Sequence, residues 1–240
     1  MTMRAIMIAL VLVSGSYWTG TRTASAEEPG WKPLWDGQSL DGFRQYGGKA
    51  HYRVEDGQIV GTAVPNTPNS FLCTERLYRD FVLEFEFQVD PGLNSGVQIR
   101  SRVFDRPTVY VTEADNGQAR TITVPAGRVH GYQVEIDPSP RAWTAGIYDE
   151  GRRGWLFDLK NNEAARNAFR PNAWNHVRVE CQGNSIKTWL NGIPAADLVD
   201  DMTREGFIAL QVHGIGNNPE NAGKQVRWRN LRILELPPAP

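Results

Sequence analysis

Short segments that alternate strictly between apolar and polar residues dominate this chain and limit what it can fold into. In the clearest one, 81–89, the residues Phe81, Leu83, Phe85, Phe87 and Val89 share one side. Successive strand side chains point to opposite faces, so this pattern predicts a strand with one buried face. Helical periodicity is nearly absent, and 162–168 is the only short helix candidate. Many short strands separated by Gly, Pro, Asn and Asp predict an all-β sandwich or jelly roll.

Turn and loop signals divide the chain between these strands. Gln182-Gly183-Asn184 has the length and chemistry of a hairpin turn, Asn191-Gly192 marks a second tight turn, and a C-terminal strand is expected over 226–234. Two longer stretches interrupt the pattern. Residues 103–129 are expected to form an extended loop or a projecting hairpin, and the Asn- and Gly-rich stretch 215–225 a loop. Loops at strand ends commonly carry binding residues, although an ordinary surface insertion is the alternative.

Three segments, 94–100, 131–137 and 207–213, place polar side chains on one predicted sheet face and apolar ones on the other. The polar positions are Gln98, Arg100, Gln133, Glu135, Asp137, Gln211 and His213. A solvated sheet face is one explanation, since antiparallel sheets often face water on one side. However, an ordinary wet face is richer in Lys, Thr and Ser, whereas amides and carboxylates beside Arg suit the recognition of hydroxyl groups. We therefore expect these side chains to converge on one concave face as a site.

The first 26 residues have the pattern of an export signal. Arg4 precedes an apolar run from Ala5 to Val13, and Ala24-Ser25-Ala26 forms a small-residue cleavage site. The run is too short for the ~20 residues of a membrane anchor. We expect residues 1–26 to be a signal peptide and 27–240 one β-sandwich domain, periplasmic or secreted, with no integral membrane segment after cleavage.

Charge and cysteine content restrict partners further. The net charge is −1, and removing residues 1–26, which hold Arg4, Arg22 and no acidic residue, makes it −3. Nucleic acid is not an expected partner, because its binding needs a basic surface. The two cysteines, Cys73 and Cys181, match no metal-ligand spacing. One disulfide and two separate buried thiols both remain open.

The ordered set of short motifs resembles the 3-keto-disaccharide hydrolase domain family. The resemblance covers nearly the whole mature chain and rests on Trp35-Asp36-Gly37, Leu40-Asp41-Gly42-Phe43, Asp80-Phe81, 94–100, 131–137, Gly146-Ile147-Tyr148, Trp174-Asn175, Asn191-Gly192, Leu210-Gln211-Val212-His213-Gly214 and 227–233. It implies a concanavalin A-like jelly roll of two curved antiparallel sheets, an exported location, and action on glycosides whose glucose ring carries a ketone at carbon 3. The stretch 215–225 departs from the family pattern, so the rim of the site and the identity of the substrate are less defined.

The absence of a second carboxylate after Asp137 limits the possible catalytic chemistry. Glu135-Ile136-Asp137 also resembles the nucleophile strand of retaining β-glucanases with this fold, but Pro138-Ser139-Pro140-Arg141 follows without a second carboxylate. Retaining cleavage needs two carboxyl groups about 5 Å apart. A ketone at carbon 3 instead acidifies the carbon-2 proton, so one base, one electrophile for the enolate oxygen and one proton source suffice.

Glu135, Arg100 and His213 have the chemistry for those roles, and which of Glu135 and His213 is the base stays open. A divalent cation held by Asp137, Glu135 or His213 is an alternative electrophile. Arg100 paired with Glu135 or Asp137 is the purely structural alternative. Predicted substrate-binding residues are Asn94, Gln98, Gln133, Asp137, Trp143, Tyr148 and Gln211, and Trp155 is a further candidate for sugar stacking.

Two functions are compatible with these residues. The first is an exported enzyme that cleaves 3-keto-glucosides after a separate sugar 3-oxidoreductase has made the ketone. The second is a noncatalytic carbohydrate-binding module, which needs aromatic residues and amides but no base. The combination of Glu135, His213 and Arg100 favours the enzyme.

Overall fold

The computed structural model describes residues 29–113 and 117–239. The predicted signal peptide, residues 1–26, lies outside them. The strands are β1 (Trp31–Pro33), β2 (Phe43–Gly47), β3 (His51–Glu55), β4 (Gln58–Thr62), β5 (Ser70–Thr74), β6 (Phe81–Val89), β7 (Ser95–Arg102), β8 (Thr108–Glu113), β9 (Ala119–Val124), β10 (His130–Ile136), β11 (Ile147–Glu150), β12 (Gly154–Phe157), β13 (Asn175–Gln182), β14 (Ser185–Leu190), β15 (Ile193–Val199), β16 (Phe207–Val212) and β17 (Gln225–Glu235). One short helix, α1 (Glu163–Ala168), and a 3-10 turn (Pro219–Asn221) complete the described elements.

Two antiparallel sheets form the sandwich, which confirms the predicted fold. The eight-stranded sheet has the order β15-β14-β13-β6-β17-β4-β3, with β1 also paired to β17. The seven-stranded sheet has the order β12-β11-β10-β7-β16-β5-β2. Each sheet joins strands that are distant in sequence, as in β10-β7-β16, so the three polar-faced segments lie side by side. This pairing is what assembles the site.

The core lies between the two sheets and follows the alternation of the sequence. All five apolar residues on one side of β6 are buried, and they share a cluster with the inward residues of β7, β10 and β16, such as Val97, Val134 and Leu210. Full burial of each such side chain contributes about 1.5–3 kcal/mol. The Asn191-Gly192 turn between β14 and β15 has positive φ at both residues, 51° and 84°, as a type I′ turn requires.

The long insertion between β7 and β10 contains a projecting hairpin, β8 with β9, which is one of the two forms expected from the sequence. The base of the insertion packs on the outer face of the seven-stranded sheet, where Val129 and Val103 join a small apolar cluster with Phe71 and Phe207. The insertion therefore covers the β5 and β16 side of this face. The open part of the face lies over β10, β11 and β12.

The two cysteines are separate buried thiols, so no disulfide forms. Cys73 belongs to the outer cluster under the insertion, whereas Cys181 lies in the main core between the sheets. Burial raises the pKa of both thiols, that of Cys181 to about 12. In the described part of the chain, no helix has the length and apolarity to cross a bilayer.

Candidate active site

A cavity of about 560 Å³ lies on the outer face of the seven-stranded sheet. Its walls come from β10, β11 and β12, from the segments before β5, β7 and β10, and from the ends of β10 and β16. The lining residues are Asn69, Asn94, Arg128, Gln133, Glu135, Asp137, Ser139, Arg141, Tyr148, Glu150, Trp155 and His213. The cavity is therefore rich in amides, carboxylates and cations and has an aromatic edge.

Glu135 lies on β10 and is only 4% exposed. Asn94 Nδ2 donates to its Oε1 at 2.6 Å, and Gln133 Nε2 donates to its Oε2 at 2.7 Å. Burial raises the pKa of Glu135 to about 7, because desolvation and the nearby Asp137 outweigh the two amide hydrogen bonds and the Arg141 charge. A carboxylate with this pKa exchanges a proton readily near neutral pH, as a general base requires.

Gln133 occupies the centre of a chain of buried amides. Its Oε1 accepts from Gln98 Nε2 and from Gln211 Nε2, each at 2.6 Å. Gly96, opposite Glu135 on β7, makes room for this side chain, since a Cβ there would lie 2.6 Å from Gln133 Cγ and Cδ. The Asn94-Ser95-Gly96 segment thus supplies both a donor to Glu135 and space for Gln133.

Asp137 and Arg141 organise the loop after β10. Arg141 Nε donates to Asp137 Oδ2 at 2.8 Å, and the backbone N–H groups of Ser139 and Trp143 also donate to this carboxylate. Burial acts to raise the pKa of Asp137, but these bonds outweigh it and leave the pKa below its usual value. Arg141 Nη2 also lies 3.9 Å from Glu135 Oε1. The loop thus places a guanidinium beside the candidate base.

Aromatic residues and His213 form the rest of the wall. Tyr148 and Trp155 make an edge-to-face pair with ring centroids 5.3 Å apart, and Arg141 lies over the Trp155 ring at 5.0 Å. Burial, followed by the Glu150 and Glu135 charges, raises the pKa of Tyr148, so the phenol is neutral near pH 7. His213 follows β16 and is exposed, with Nδ1 2.7 Å from the Gly214 carbonyl oxygen. Tyr148 and His213 are the cavity's candidate proton donors.

Arg100 corrects one prediction. β7 has a bulge, because Ala209 pairs with Gln98 but Phe207 pairs with Ser101, and Arg100 takes a positive φ of 46°. The extra residue shifts the alternation, so Ser101 and not Arg100 returns to the cavity side. The predictions that Arg100 shares a face with Glu135, and that it pairs with Glu135 or Asp137, are therefore wrong.

The Arg100 side chain is instead fully buried away from the cavity. Its Nη2 lies 2.9 Å from Asp80 Oδ1, and its Nε and Nη1 donate to the carbonyl oxygens of Arg79 and Gly183 at 2.6 and 2.8 Å. All three partners lie at or near the ends of β6 and β13, in the other sheet. Arg100 therefore ties the two sheets together.

Three predicted substrate-binding residues do not line the cavity. Gln98 and Gln211 are 0% exposed because they lie beneath Gln133 in the amide chain. Trp143 packs on the edge of the main core and against Trp155, with ring centroids 4.8 Å apart. The cavity brings Asn94, Gln133, Asp137 and Tyr148 together with Glu135 and His213, and of these the alternation pattern had placed Gln133, Glu135, Asp137 and His213 on one face.

Sequence reasoning missed five lining residues: Asn69, Arg128, Ser139, Arg141 and Glu150. Arg141 had a usable signal, because it follows the predicted polar strand by only four residues and can turn back towards it. Glu150 also had one, since it has the strand parity of Tyr148; in the structure it pairs with Arg128 across the wall of the cavity. Asn69 is distant in sequence from the other lining residues, and it reaches the cavity only through the pairing of β5 with β16.

Within residues 29–113 and 117–239, no three His, Cys, Asp or Glu side chains cluster as a metal site would require. The Asp137 carboxylate is engaged by Arg141, and both Glu135 oxygens accept amide hydrogen bonds. The divalent cation considered as an alternative electrophile stays a prediction.

Comparison with known proteins places this fold and cavity in a family. A family model described as the 3-keto-alpha-glucoside-1,2-lyase-like domain matches residues 30–234. A search of curated proteins finds no match. Among solved structures, a candidate glycosyl hydrolase from Parabacteroides distasonis has 17% identity and a TM-score of 0.54, with 87% of this chain and 94% of that chain covered. A second such protein from that species has 20% identity and a TM-score of 0.50, with 86% and 99% covered.

A Bacillus subtilis protein of unknown function with a galectin-like fold has 12% identity and a TM-score of 0.55, with 87% of this chain and 100% of that chain covered. At these identities the structural likeness establishes the fold alone. The family model establishes more, because it spans the whole sandwich and every residue that lines the cavity. The chain therefore belongs to the family of 3-keto-α-glucoside-1,2-lyase-like domains, whose chemistry concerns carbohydrates.

Proposed function

We propose that this protein cleaves 3-keto-glucosides, including 3-keto-disaccharides, by removing the carbon-2 proton and eliminating the group at carbon 1. The observation that carries the proposal is Glu135, a buried carboxyl at a cavity wall whose pKa of about 7 suits a general base. A noncatalytic sugar site has no use for such a group. The lyase-like description of the family supports the same reaction class.

The reaction needs no covalent intermediate. Glu135 takes the proton from carbon 2, and the electron pair of that C–H bond moves towards the carbon-3 carbonyl to give an enolate. The enolate then reforms the carbonyl as the bond from carbon 1 to the leaving oxygen breaks, which leaves a double bond between carbons 1 and 2. Water adds at carbon 1, a proton returns to carbon 2, and the products are the 3-keto sugar and the free alcohol.

Other cavity residues supply the remaining roles. The Arg141 guanidinium, near Glu135 Oε1, replaces Arg100 as the electrophile that stabilises the enolate oxygen. His213 or neutral Tyr148 donates the proton to the leaving oxygen, and both line the same cavity. Of Glu135 and His213, Glu135 is the stronger candidate base, because it is buried and held by two amides while His213 is exposed.

The biological setting belongs to the same proposal. A glycoside acquires a ketone at carbon 3 only by oxidation, so a separate sugar 3-oxidoreductase must act first. The sequence pattern of residues 1–26 supports a reaction in the periplasm or outside the cell.

A carbohydrate-binding module is the second candidate. The observation that favours it is the aromatic edge of Tyr148 and Trp155 beside the amides, because such rings stack on sugars. The two functions differ in one respect that an experiment can measure, since only the enzyme turns the bound sugar over.

The test compares a glucoside with its 3-keto derivative as substrates. We expect cleavage of the keto compound only, because the carbon-2 proton is acidic only beside the ketone. Glu135→Gln should lower kcat by about 10²-fold or more, the usual range for a general base. Carbon-2 deuteration should slow turnover where proton removal limits the rate. Loss of cleavage activity when a chelator is added would assign the role of electrophile to a divalent cation.

Glu84→Gln is the matched control. Glu84 is another mostly buried carboxylate with arginine partners, but it lies on β6 in the opposite sheet, so its loss should leave kcat near the wild-type value. Equal turnover of the parent glucoside would refute the elimination route. Sugar binding without turnover of either compound would favour the binding module.

A further inference from the structure

A set of buried glutamines lies beneath Glu135, and two of them do not reach the cavity. We propose that Gln133 is a positioning residue for Glu135, and that Gln98 and Gln211 hold its amide in the one orientation that donates to the carboxylate. The catalytic consequence of this inference rests on the proposed function, whereas the orientation of the amide does not.

The hydrogen-bond pattern allows only one orientation of Gln133. Its Oε1 accepts two N–H donors, from Gln98 and Gln211, each at 2.6 Å. Its Nε2 therefore faces Glu135 Oε2, at 2.7 Å. Turning the amide over would bring its NH₂ against two other NH₂ groups and its carbonyl oxygen against a carboxylate. The three hydrogen bonds of the Gln133 amide would then be lost, and all five groups that make them would lose those partners in a buried region.

The other bonds of the two outer glutamines show that this orientation is specific. Gln98 Oε1 lies 2.9 Å from Ser101 Oγ, which donates to it, and the Gln98 NH₂ points towards Gln133. Gln211 Oε1 is buried and has no hydrogen-bond partner among the described residues. Gln211 thus donates to Gln133 although its own acceptor is left unpaired, which destabilises the fold. An apolar residue at 211 would avoid that cost, so the amide is better explained by what it does to Gln133.

Gly96 and Glu135 complete the arrangement. The Gln133 side chain crosses the space above Gly96, where any Cβ would displace it. The charged and titratable groups that line the cavity with Glu135 are Asp137 and Arg141 from the loop after β10, Tyr148 and Glu150 from β11, Arg128 before β10, and His213 after β16. Substitutions at 98 and 211 leave all of these groups in place, so they test the amide orientation alone.

Gln211→Met is the most informative variant. Methionine has a similar unbranched shape, and the change removes one N–H donor together with the unpaired carbonyl. The melting temperature should therefore stay the same or rise. A loosened Gln133 amide donates less to ionised Glu135, so the titration midpoint of this carboxyl should rise by about 0.5 unit. The double variant Gln98→Met with Gln211→Met should shift the midpoint further.

The primary measurement is carboxyl ¹³C NMR of ligand-free protein labelled at glutamate, with Glu135→Gln to assign the signal. Gln88→Met is the control, because Gln88 lies on β6 in the eight-stranded sheet and donates one amide hydrogen bond, to the Asn172 carbonyl at 2.9 Å. Raised midpoints in the 211 and double variants, but not in the control, would support the inference. Unchanged midpoints in both would overturn it, whether or not the protein proves to be an enzyme.

Kinetics with a 3-keto-glucoside provide the second readout. Below the midpoint, kcat of Gln211→Met should fall roughly threefold, matching a shift of about 0.5 unit, and recover at high pH with KM unchanged. A purely structural role predicts no such dependence on pH. A loss of kcat that is equal at every pH would refute the positioning role. Absence of turnover by the wild type would refute the proposed function, and the NMR result would still decide the amide orientation.

Discussion

Glu135→Gln should become more stable relative to the wild type as the pH rises. Burial raises the pKa of this carboxyl from 4.5 to about 7, so the folded state holds the proton more tightly than the unfolded chain does. The stability from protonated Glu135 is fully present below pH 4.5 and is lost as the pH rises through about 7. Glutamine cannot ionise, so the variant does not lose this stability.

The magnitude follows from the shift. At ~1.36 kcal/mol per unit, a shift from 4.5 to about 7 is worth about 3 kcal/mol in total. Most of it, about 2–3 kcal/mol, falls between about pH 5 and about pH 8.5. The amide of the Glu135→Gln variant would also place one NH₂ group against the Asn94 or Gln133 donor, which lowers stability equally at every pH. The quantity to measure is therefore the change in the relative stability of the variant between the two pH values.

The assay is urea unfolding of both proteins at these two pH values, with Glu113→Gln, an exposed position on β8, as the control. The free energy of unfolding of the variant relative to wild type should rise by about 2–3 kcal/mol from the lower to the higher pH. The control should show no such rise. A variant whose relative stability is the same at both pH values would refute the buried, proton-holding carboxyl and with it the poised base.

Two further predictions concern buried groups outside the cavity. Asp80→Asn should destabilise the fold by about 3–5 kcal/mol, because it leaves the Arg100 charge buried without its partner, whereas kcat of the folded protein should be unchanged. Denaturant unfolding measures the first effect and kinetics the second. An Asp80→Asn variant with wild-type stability but no activity would instead indicate a catalytic role for Arg100. Cys73 and Cys181 should stay unmodified by a thiol reagent in the native protein and react only on unfolding. Intact-mass measurement checks this, and a mass increase of the native protein would contradict the burial of these thiols.

Much of the site was predictable because it is built on regular strands. Gln133 and Glu135 alternate with Val134 and Ile136 along β10, and no bulge interrupts the strand between them. His213 could be placed because it follows β16 with the parity of Gln211. Alternation assigns faces correctly wherever the strand is continuous.

The predictions failed where regular structure ends. The bulge in β7 moved Arg100 to the other side of the sheet, and no local pattern in the sequence announces a single extra residue in one strand. Gln98 and Gln211 do not line the cavity because the Gln133 side chain covers them, and this arrangement depends on how the side chains pack. Arg141 reaches the cavity because its loop folds back on Asp137, through contacts made only after the strand has ended.

The sequence by itself determined the class of fold and the two candidate bases, Glu135 and His213, since alternation and turn chemistry are local properties that each segment carries. Only the tertiary structure decided which strands became neighbours, that Cys73 and Cys181 lie in different clusters, and that Arg141 and not Arg100 faces Glu135. The raised pKa of Glu135 also belongs to the folded state, because it comes from burial that distant segments impose. Strand pairing joins residues far apart in the chain, and the energies that select one pairing are spread over the whole core, so no single segment contains them.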